Sequence, residues 1–204
     1  ACGAVSVATQ RADALSPIRT PVISLPEKIV AVHQALEAAE LPYAFGGALA
    51  LAWCTGRARG TIDIDINVFV DADGAEAVCE ALPTEVMHTA SDLKRLTHDG
   101  QARLWWDRTP IDLFLNTTAF HHEAAGRRRW ETFMSQRLPF LSCNDLAVFK
   151  AFFNRTKDWA DLEEMQAAGT LDVSRVAQVI IEMLGADDER VAQLFALPNT
   201  TTGD

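Results

Sequence analysis

The strongest pattern along the chain is the alternation Thr61-Ile62-Asp63-Ile64-Asp65-Ile66-Asn67-Val68-Phe69-Val70. Polar and apolar residues alternate with the two-residue period of a strand covered on one face. The pattern predicts that Ile62, Ile64, Ile66 and Val68 turn into a core. Asp63, Asp65 and Asn67 then project side by side from the other face. Upstream, Ser24-Leu25-Pro26-Glu27 has capping-box spacing with a proline in the first turn, which predicts a helix over 26–40. Tyr43-Ala44-Phe45 predicts a short strand. The run 48–54 is almost wholly apolar and predicts a short buried helix. Downstream, Asp71 to Gly74 reads as a turn and 75–82 as a helix. His98-Asp99-Gly100 reads as a hairpin turn between strands. Strands are expected at 101–106 and 111–115, joined through 107–110. From Ser142 onward the reading is helical: 143–168, then 173–184 closed by Gly185, then a short helix before Pro198.

These elements define an α/β (α+β) chain, with a mixed sheet and flanking helices followed by a C-terminal helical bundle. The expected division is a loose segment 1–23, an α/β core 24–130 and a helical region 131–204. Neither an internal repeat nor a low-complexity segment interrupts it.

Composition narrows the class. The 204 residues are 49% hydrophobic and 23% charged, with a net charge of −10. That balance suits one well-cored domain, or a domain with a helical appendage. No apolar run reaches membrane-spanning length, and residues 1–19 lack the basic-then-apolar layout of a secretion signal. A soluble cytoplasmic protein with no membrane partner is expected. Cys2, Cys54, Cys79 and Cys143 are widely spaced, so buried or incidental thiols in a reducing compartment are expected in preference to a zinc site or disulfide framework. The acidic balance argues against a general nucleic-acid coat protein and leaves room for a local basic patch.

The candidate chemistry lies on the polar face of the alternating strand. Two carboxylates two residues apart repel each other unless the face is wet or a cation sits between them. Aspartate oxygens on a strand suit Mg²⁺ or Mn²⁺, which bind carboxylates and keep positions for water and phosphate. Gly46-Gly47, between a strand and a helix, lets backbone N–H groups approach a phosphate. Asp112, alone in Pro110-Ile111-Asp112-Leu113-Phe114-Leu115, is a third strand carboxylate that would complete a two-metal site or act as a base. Each piece alone has a structural reading, as a turn, a cap or an edge residue. Burying charge without partners is costly, and the ordered combination favours function.

Phe45-Gly46-Gly47-Ala48, Arg57, Thr61, Asp63-Ile64-Asp65 and Ile111-Asp112-Leu113 together resemble the signature of the DNA-polymerase-β-like nucleotidyltransferase superfamily. The resemblance spans about residues 41–115. Ala48 stands where many members carry a serine. The resemblance implies a polymerase-β-like nucleotidyltransferase fold, a nucleoside triphosphate substrate with its phosphates near Gly46, Gly47, Arg57 and Thr61, and metal on Asp63, Asp65 and Asp112. A narrower resemblance lies in the run from Asp145 to Met165, which is similar to the Lys-x4-Arg-x2-Asp-x2-Asp segment of AbiEii-like and MenT nucleotidyltransferase toxins. It implies catalytic-site roles for Lys150 and Asp158, supported by Arg155 and Asp161. It also implies an RNA acceptor, in particular a tRNA 3′ end, and a cognate antitoxin partner.

Read as one helix, Lys150, Asn154, Asp158 and Asp161 fall on one face, which is equally the layout of a salt-bridged polar stripe. Arg127-Arg128-Arg129-Trp130 suits phosphate contact with base stacking, and it also suits ordinary solvated surface. His121-His122 makes a poor chelate, because adjacent side chains diverge, and is read as surface or packing. Thr61, two positions before Asp63, is a candidate phosphorylation site at which added negative charge would oppose triphosphate binding. Two rival readings stand beside the RNA-modifying toxin. One is a small-molecule nucleotidyltransferase of the aminoglycoside type, and the other is an inactive domain of the same fold acting as a binding protein.

Overall fold

A computed structural model of the chain describes residues 23–198. Helix α1 (Leu25–Ala38) starts where Glu27 accepts hydrogen bonds from the backbone N and hydroxyl of Ser24, and it buries Ile29, Val32 and Leu36. The fully buried strand β1 (Tyr43–Phe45) leads through Gly46 into α2 (Gly47–Thr55), which ends at Gly56. Strand β2 (Ile64–Asp71) follows, then α3 (Ala75–Ala81), the two-residue β3 (Val86–Met87), and α4 (Ala90–Asp99). Strands β4 (Gln101–Trp106) and β5 (Thr109–Asn116) form a hairpin, followed by α5 (Ala119–Ala124). A second hairpin, β6 (Arg129–Phe133) and β7 (Gln136–Phe140), precedes α6 (Cys143–Phe153), α7 (Thr156–Ala167), α8 (Val173–Leu184) and α9 (Glu189–Phe195).

Seven strands form one mixed sheet in the order β3-β4-β5-β2-β1-β7-β6. The pairs β2–β5 and β1–β7 are parallel, and the other neighbours are antiparallel. Ile64, Ile66 and Val68 of β2 and Ile111, Leu113 and Leu115 of β5 are all buried on the core side. The alternating residues of the same strands therefore share the opposite face, where α2 and α6 pack.

Several expectations need correction. Residue 130 does not end the sheet: β6 and β7 carry it to Phe140, and the helices begin at Cys143. Pro139 and the positive-φ pair Met134 and Ser135 hid that hairpin from pattern reading. His98-Asp99-Gly100 is no hairpin turn but the end of α4, which starts at a Thr89/Asp92 capping box and stops at Gly100 with φ 68°. The β4–β5 turn is Asp107-Arg108 alone, so Thr109 and Pro110 belong to the strand. The helix expected over 143–168 is two helices, broken at Asn154 in the left-handed conformation (φ 55°). Ile62 does not enter the core; it precedes β2 and is 78% exposed. Cys54 and Cys143 form a disulfide across α2 and α6, contrary to the expectation of free thiols, while Cys79 is free and buried. Spacing missed this pair because its partners lie 89 residues apart and meet only when α2 packs on α6. The segment 1–22 lies outside the described residues. Among the described residues, no helix is long and apolar enough to cross a membrane.

Candidate active site

The parallel register of β2 and β5 sets Asp65 directly beside Asp112. Asp63 lies two residues upstream, just before the strand, where its carboxylate accepts a hydrogen bond from the Thr61 hydroxyl. Gly47, at the start of α2, presses on the same point. Its φ is +51°, and a Cβ there would lie 1.8 Å from Oδ2 of Asp65. Gly46 donates its N–H to the Asp65 carbonyl at 2.9 Å. Gly47 is thus required by the close approach of a helix start to a carboxylate strand, and Gly46 sits tightly beside the Asn67 and Leu141 side chains.

The cavity formed here measures about 310 Å³ and is lined by Gly47, Ala48, Thr61, Ile62, Asp63, Asp65 and Asp112, with further charged residues from other parts of the chain. From α6 and α7 come Lys150, Arg155, Lys157, Asp158 and Asp161; from the loop after α2 comes Arg59; from β4 comes Arg103. The lining therefore carries five acidic and five basic side chains. Lys150 is 6% exposed, with Nζ 2.5 Å from Asp161 and 3.7 Å from Asp158. Arg155 forks onto Asp158 at 2.5 and 3.1 Å, and Arg59 reaches Asp161 at 2.7 Å. Asp158 is fully buried and its oxygens are occupied by Arg155 and Lys150. It acts as a positioning residue for two cations. Buried carboxylates of this kind persist because each is paired.

The one-helix picture of this stripe is wrong in its geometry, yet Lys150, Asp158 and Asp161 do meet, while Asn154 turns to Glu189 and Trp159. The break at Asn154 folds α7 back, so Asp158 and Asp161 face Lys150 across a turn.

Burial first, then the neighbouring charges of Asp63 and Asp112, raise the Asp65 carboxyl to about 6, against partial relief from Lys150 and Lys157. This surplus of negative charge, carried on hard oxygen donors, fits a divalent cation at Asp63 and Asp65. The expected third ligand does not fit as arranged. Arg103 holds both oxygens of Asp112 at 2.7 Å each, because the two-residue β4–β5 turn sets Arg103 opposite Asp112. Among the described residues, no three carboxylate, histidine or cysteine side chains converge closely enough to hold a metal.

Four of the residues singled out from sequence lie elsewhere. Arg57 is exposed and off the cavity, its place taken by Arg59 two residues on. Arg127 pairs with Asp145 at 2.9 Å and Glu123 at 3.2 Å. Arg128 donates to the carbonyls of Ala125 and Tyr43, and Arg129 to Glu131 and the Cys143 sulfur. The three arginines brace the hairpin against α5, α6 and β1, and two of them, Arg127 and Arg129, are paired with carboxylates. Arg59 and Arg103 were missed. Nothing in the spacing of Arg57 and Arg59 distinguishes them, whereas the tight Asp107-Arg108 turn does encode the Arg103–Asp112 pairing.

No family model matches the chain, and no curated protein matches it. Solved structures show likenesses at low identity. The solution structure of the antibiotic-resistance factor ANT(2'')-Ia is 19% identical, with a TM-score of 0.49, covering 84% of this chain and 89% of that one. The lincomycin-bound lincosamide antibiotic adenylyltransferase LnuA is 13% identical, with a TM-score of 0.48, covering 70% and 96%. An antigenic nucleotidyltransferase-like protein from Paracoccidioides brasiliensis is 13% identical, with a TM-score of 0.47, covering 89% and 98%.

Two predictions follow from the packing at Asp65. Gly47 and Gly56 both have positive φ, 51° and 67°, but only Gly47 has a neighbour within reach of a Cβ. Alanine at Gly56 should lose only the backbone preference, about 1–2 kcal/mol. Alanine at Gly47 should lose that and displace Asp65 as well, giving the larger drop in urea midpoint. Equal losses would show that the close approach is not a constraint.

The second concerns pH. Because folding raises the Asp65 carboxyl to about 6, the folded chain holds this proton more tightly than the unfolded chain, where aspartate titrates near 3.9. The contribution of this group to stability therefore improves as pH falls through about 6 and levels off below about 4. At pH 7.5 its ionised form costs on the order of 3 kcal/mol. In metal-free buffer, Asp65→Asn should unfold at higher urea than wild type at pH 7.5, with the gap closing by pH 4.5. A gap that does not change with pH would contradict the charge crowding.

Proposed function

We propose that this chain is a metal-dependent nucleotidyltransferase, which moves a nucleoside monophosphate from a nucleoside triphosphate to an acceptor hydroxyl and releases pyrophosphate. The observation that carries the reading is the convergence of Asp63, Asp65 and Asp112 with the glycine start of α2 and a ring of paired cations in one cavity. In this reading Asp63 and Asp65 hold Mg²⁺ or Mn²⁺, which neutralises phosphate charge when bound. The backbone at Gly47 receives phosphate oxygens. Lys150, Arg155 and Lys157 balance the triphosphate and the departing pyrophosphate. Asp158 and Asp161 hold Lys150, Arg155 and Arg59 in place. Asp112, held by Arg103 beside Asp65, is positioned to accept the acceptor's hydroxyl proton once that fork opens.

For the acceptor, RNA remains the first reading, with a tRNA 3′ end, growth inhibition and a cognate antitoxin as its consequences. A small polycationic acceptor of the aminoglycoside type is favoured by two observations: the net charge of −10, and the pairing of Arg127 with Asp145 and Glu123 and of Arg129 with Glu131, which offsets part of the basic run expected to meet RNA. Thr61 remains a candidate regulatory phosphosite, since its hydroxyl already touches Asp63.

The test is incubation with each labelled nucleoside triphosphate, Mg²⁺, and either total RNA or an aminoglycoside panel. Wild type should label one acceptor class, and Asp63→Ala should reduce the rate at least 100-fold. Label on neither class would count against nucleotidyl transfer to these acceptors, and the class labelled decides between them. In the same assay Thr61→Glu should fall toward background, while Thr61→Ser stays near wild type. A fully active Thr61→Glu removes the regulatory reading.

A further inference from the structure

The carboxylate expected to complete a two-ion site is already held by the chain. Nε and Nη2 of Arg103 donate to Oδ1 and Oδ2 of Asp112, each at 2.7 Å. The strand register builds this contact. Arg103 and Asp112 are cross-strand partners in the β4–β5 hairpin, and Asp112 is in turn the neighbour of Asp65 in the parallel pairing of β5 with β2. Cross-strand partners turn their side chains to one face, so the register aims the guanidinium at Asp112. A guanidinium is charged at any pH the fold meets.

Charge decides how many ions such a face takes. Asp63, Asp65 and Asp112 carry three negative charges when ionised. One divalent cation on Asp63 and Asp65, with Arg103 on Asp112, matches them. The neighbouring Lys150, Arg155 and Arg59 are engaged by Asp158 and Asp161. A second divalent cation at Asp112 would face a guanidinium bonded to both oxygens of its ligand, and Arg103 also interacts with the charges of Asp63 and Asp65. Like charges held this close oppose each other.

The fork has room to open. The Arg103 side chain is 51% exposed. Together with Asp112 and Arg155 it borders both the aspartate cavity and an adjoining one of about 310 Å³, whose wall also includes Arg95. A phosphate oxygen entering the aspartate cavity competes with Asp112 for the same donors, because a guanidinium fork fits phosphate and carboxylate alike.

We propose that Arg103 stands in for a second divalent cation until a triphosphate arrives: the resting site takes one ion, on Asp63 and Asp65, and phosphate then draws Arg103 off Asp112 and frees that carboxylate. The inference rests on the nucleotidyl reading above and adds an order to it, in which triphosphate precedes any use of Asp112. Arg103 is a positioning residue in this scheme, acting through the carboxylate it holds.

The test counts Mn²⁺ bound to the metal-free full chain by electron paramagnetic resonance, with no nucleotide present. Wild type should bind one ion. Arg103→Gln keeps a polar side chain at an exposed strand position and removes the charge. It should bind two ions, the second about tenfold tighter than any further ion on wild type. Adding Asp112→Asn to that variant should return it to one. The release step is read on wild type with Mg²⁺, where inorganic tripolyphosphate should shift the Arg103 Nε–H resonance, identified by its loss in Arg103→Gln. Two ions on wild type overturn the proposal without recourse to any variant. So do a single ion on folded Arg103→Gln, a second ion that survives Asp112→Asn, and an Nε–H resonance that tripolyphosphate leaves unmoved. No ion on wild type would instead sink the metal-dependent reading itself, and this inference with it.

Discussion

The packing of Gly47 onto Asp65 is the constraint on which the rest of the site depends. A helix start and a carboxylate-bearing strand approach so closely that any side chain at Gly47 would occupy the space of an aspartate oxygen. That contact fixes where α2 begins and brings its first N–H groups to the aspartate face. Helix α2 also packs on α6, whose Lys150 lines the same cavity. The disulfide between Cys54 and Cys143 ties the far end of α2 to the start of α6, so the pair is held at both ends. A strand-borne charge cluster would otherwise be free to relax outward into water; here it is confined between two helices.

Confinement has an electrostatic consequence. Asp65 cannot relieve its repulsion from Asp63 and Asp112 by moving, so the relief comes from cations. The chain supplies these from separate elements: Arg103 from β4, Arg59 from a loop, and Lys150, Arg155 and Lys157 from the helical region. Asp158 and Asp161 in turn hold the buried Lys150 in place. The helical C-terminal region is therefore part of the charge balance of the site as well as packing against the sheet. This explains why acids and bases are matched in number within the cavity although the chain as a whole is strongly acidic.

Much of this was legible in the sequence, for reasons that differ by residue. Asp63, Asp65 and Gly46-Gly47 were legible because a local period and a local turn encode them. Asp112 was legible as a polar break in an apolar strand. Lys150 and Asp158 were singled out by the resemblance of their segment, and placed together through an incorrect single-helix geometry. Spacing along a helix and a fold-back at Asn154 happen to bring the same side chains together, because a left-handed residue reverses the chain within one turn. What was not legible depends on long-range partners. The arginine run 127–129 has the composition of a nucleic-acid patch, yet it is held internally; Glu123 stands at i,i+4 spacing from Arg127, whereas Asp145 and Tyr43 lie too far along the chain for a pattern to reveal them. The cysteine pair was hidden for the same reason.

The mixed topology gives the face its order. Reading across the sheet at the level of the aspartates, Arg103 on β4 lies opposite Asp112 on β5, Asp112 lies beside Asp65 on β2, and Asp65 is hydrogen-bonded to Gly46 at the end of β1. Neighbouring strands are about 4.8 Å apart, so this is a contiguous row of one cation, two anions and one residue without a side chain. The cation compensates one end of the row, and at the other end Gly46 brings only its backbone against Asp65. Asp65 is the anion farther from Arg103, which agrees with its raised proton affinity. The third carboxylate is therefore the one already satisfied by the protein. It becomes available only when an anion of comparable strength, such as a phosphate, competes for Arg103.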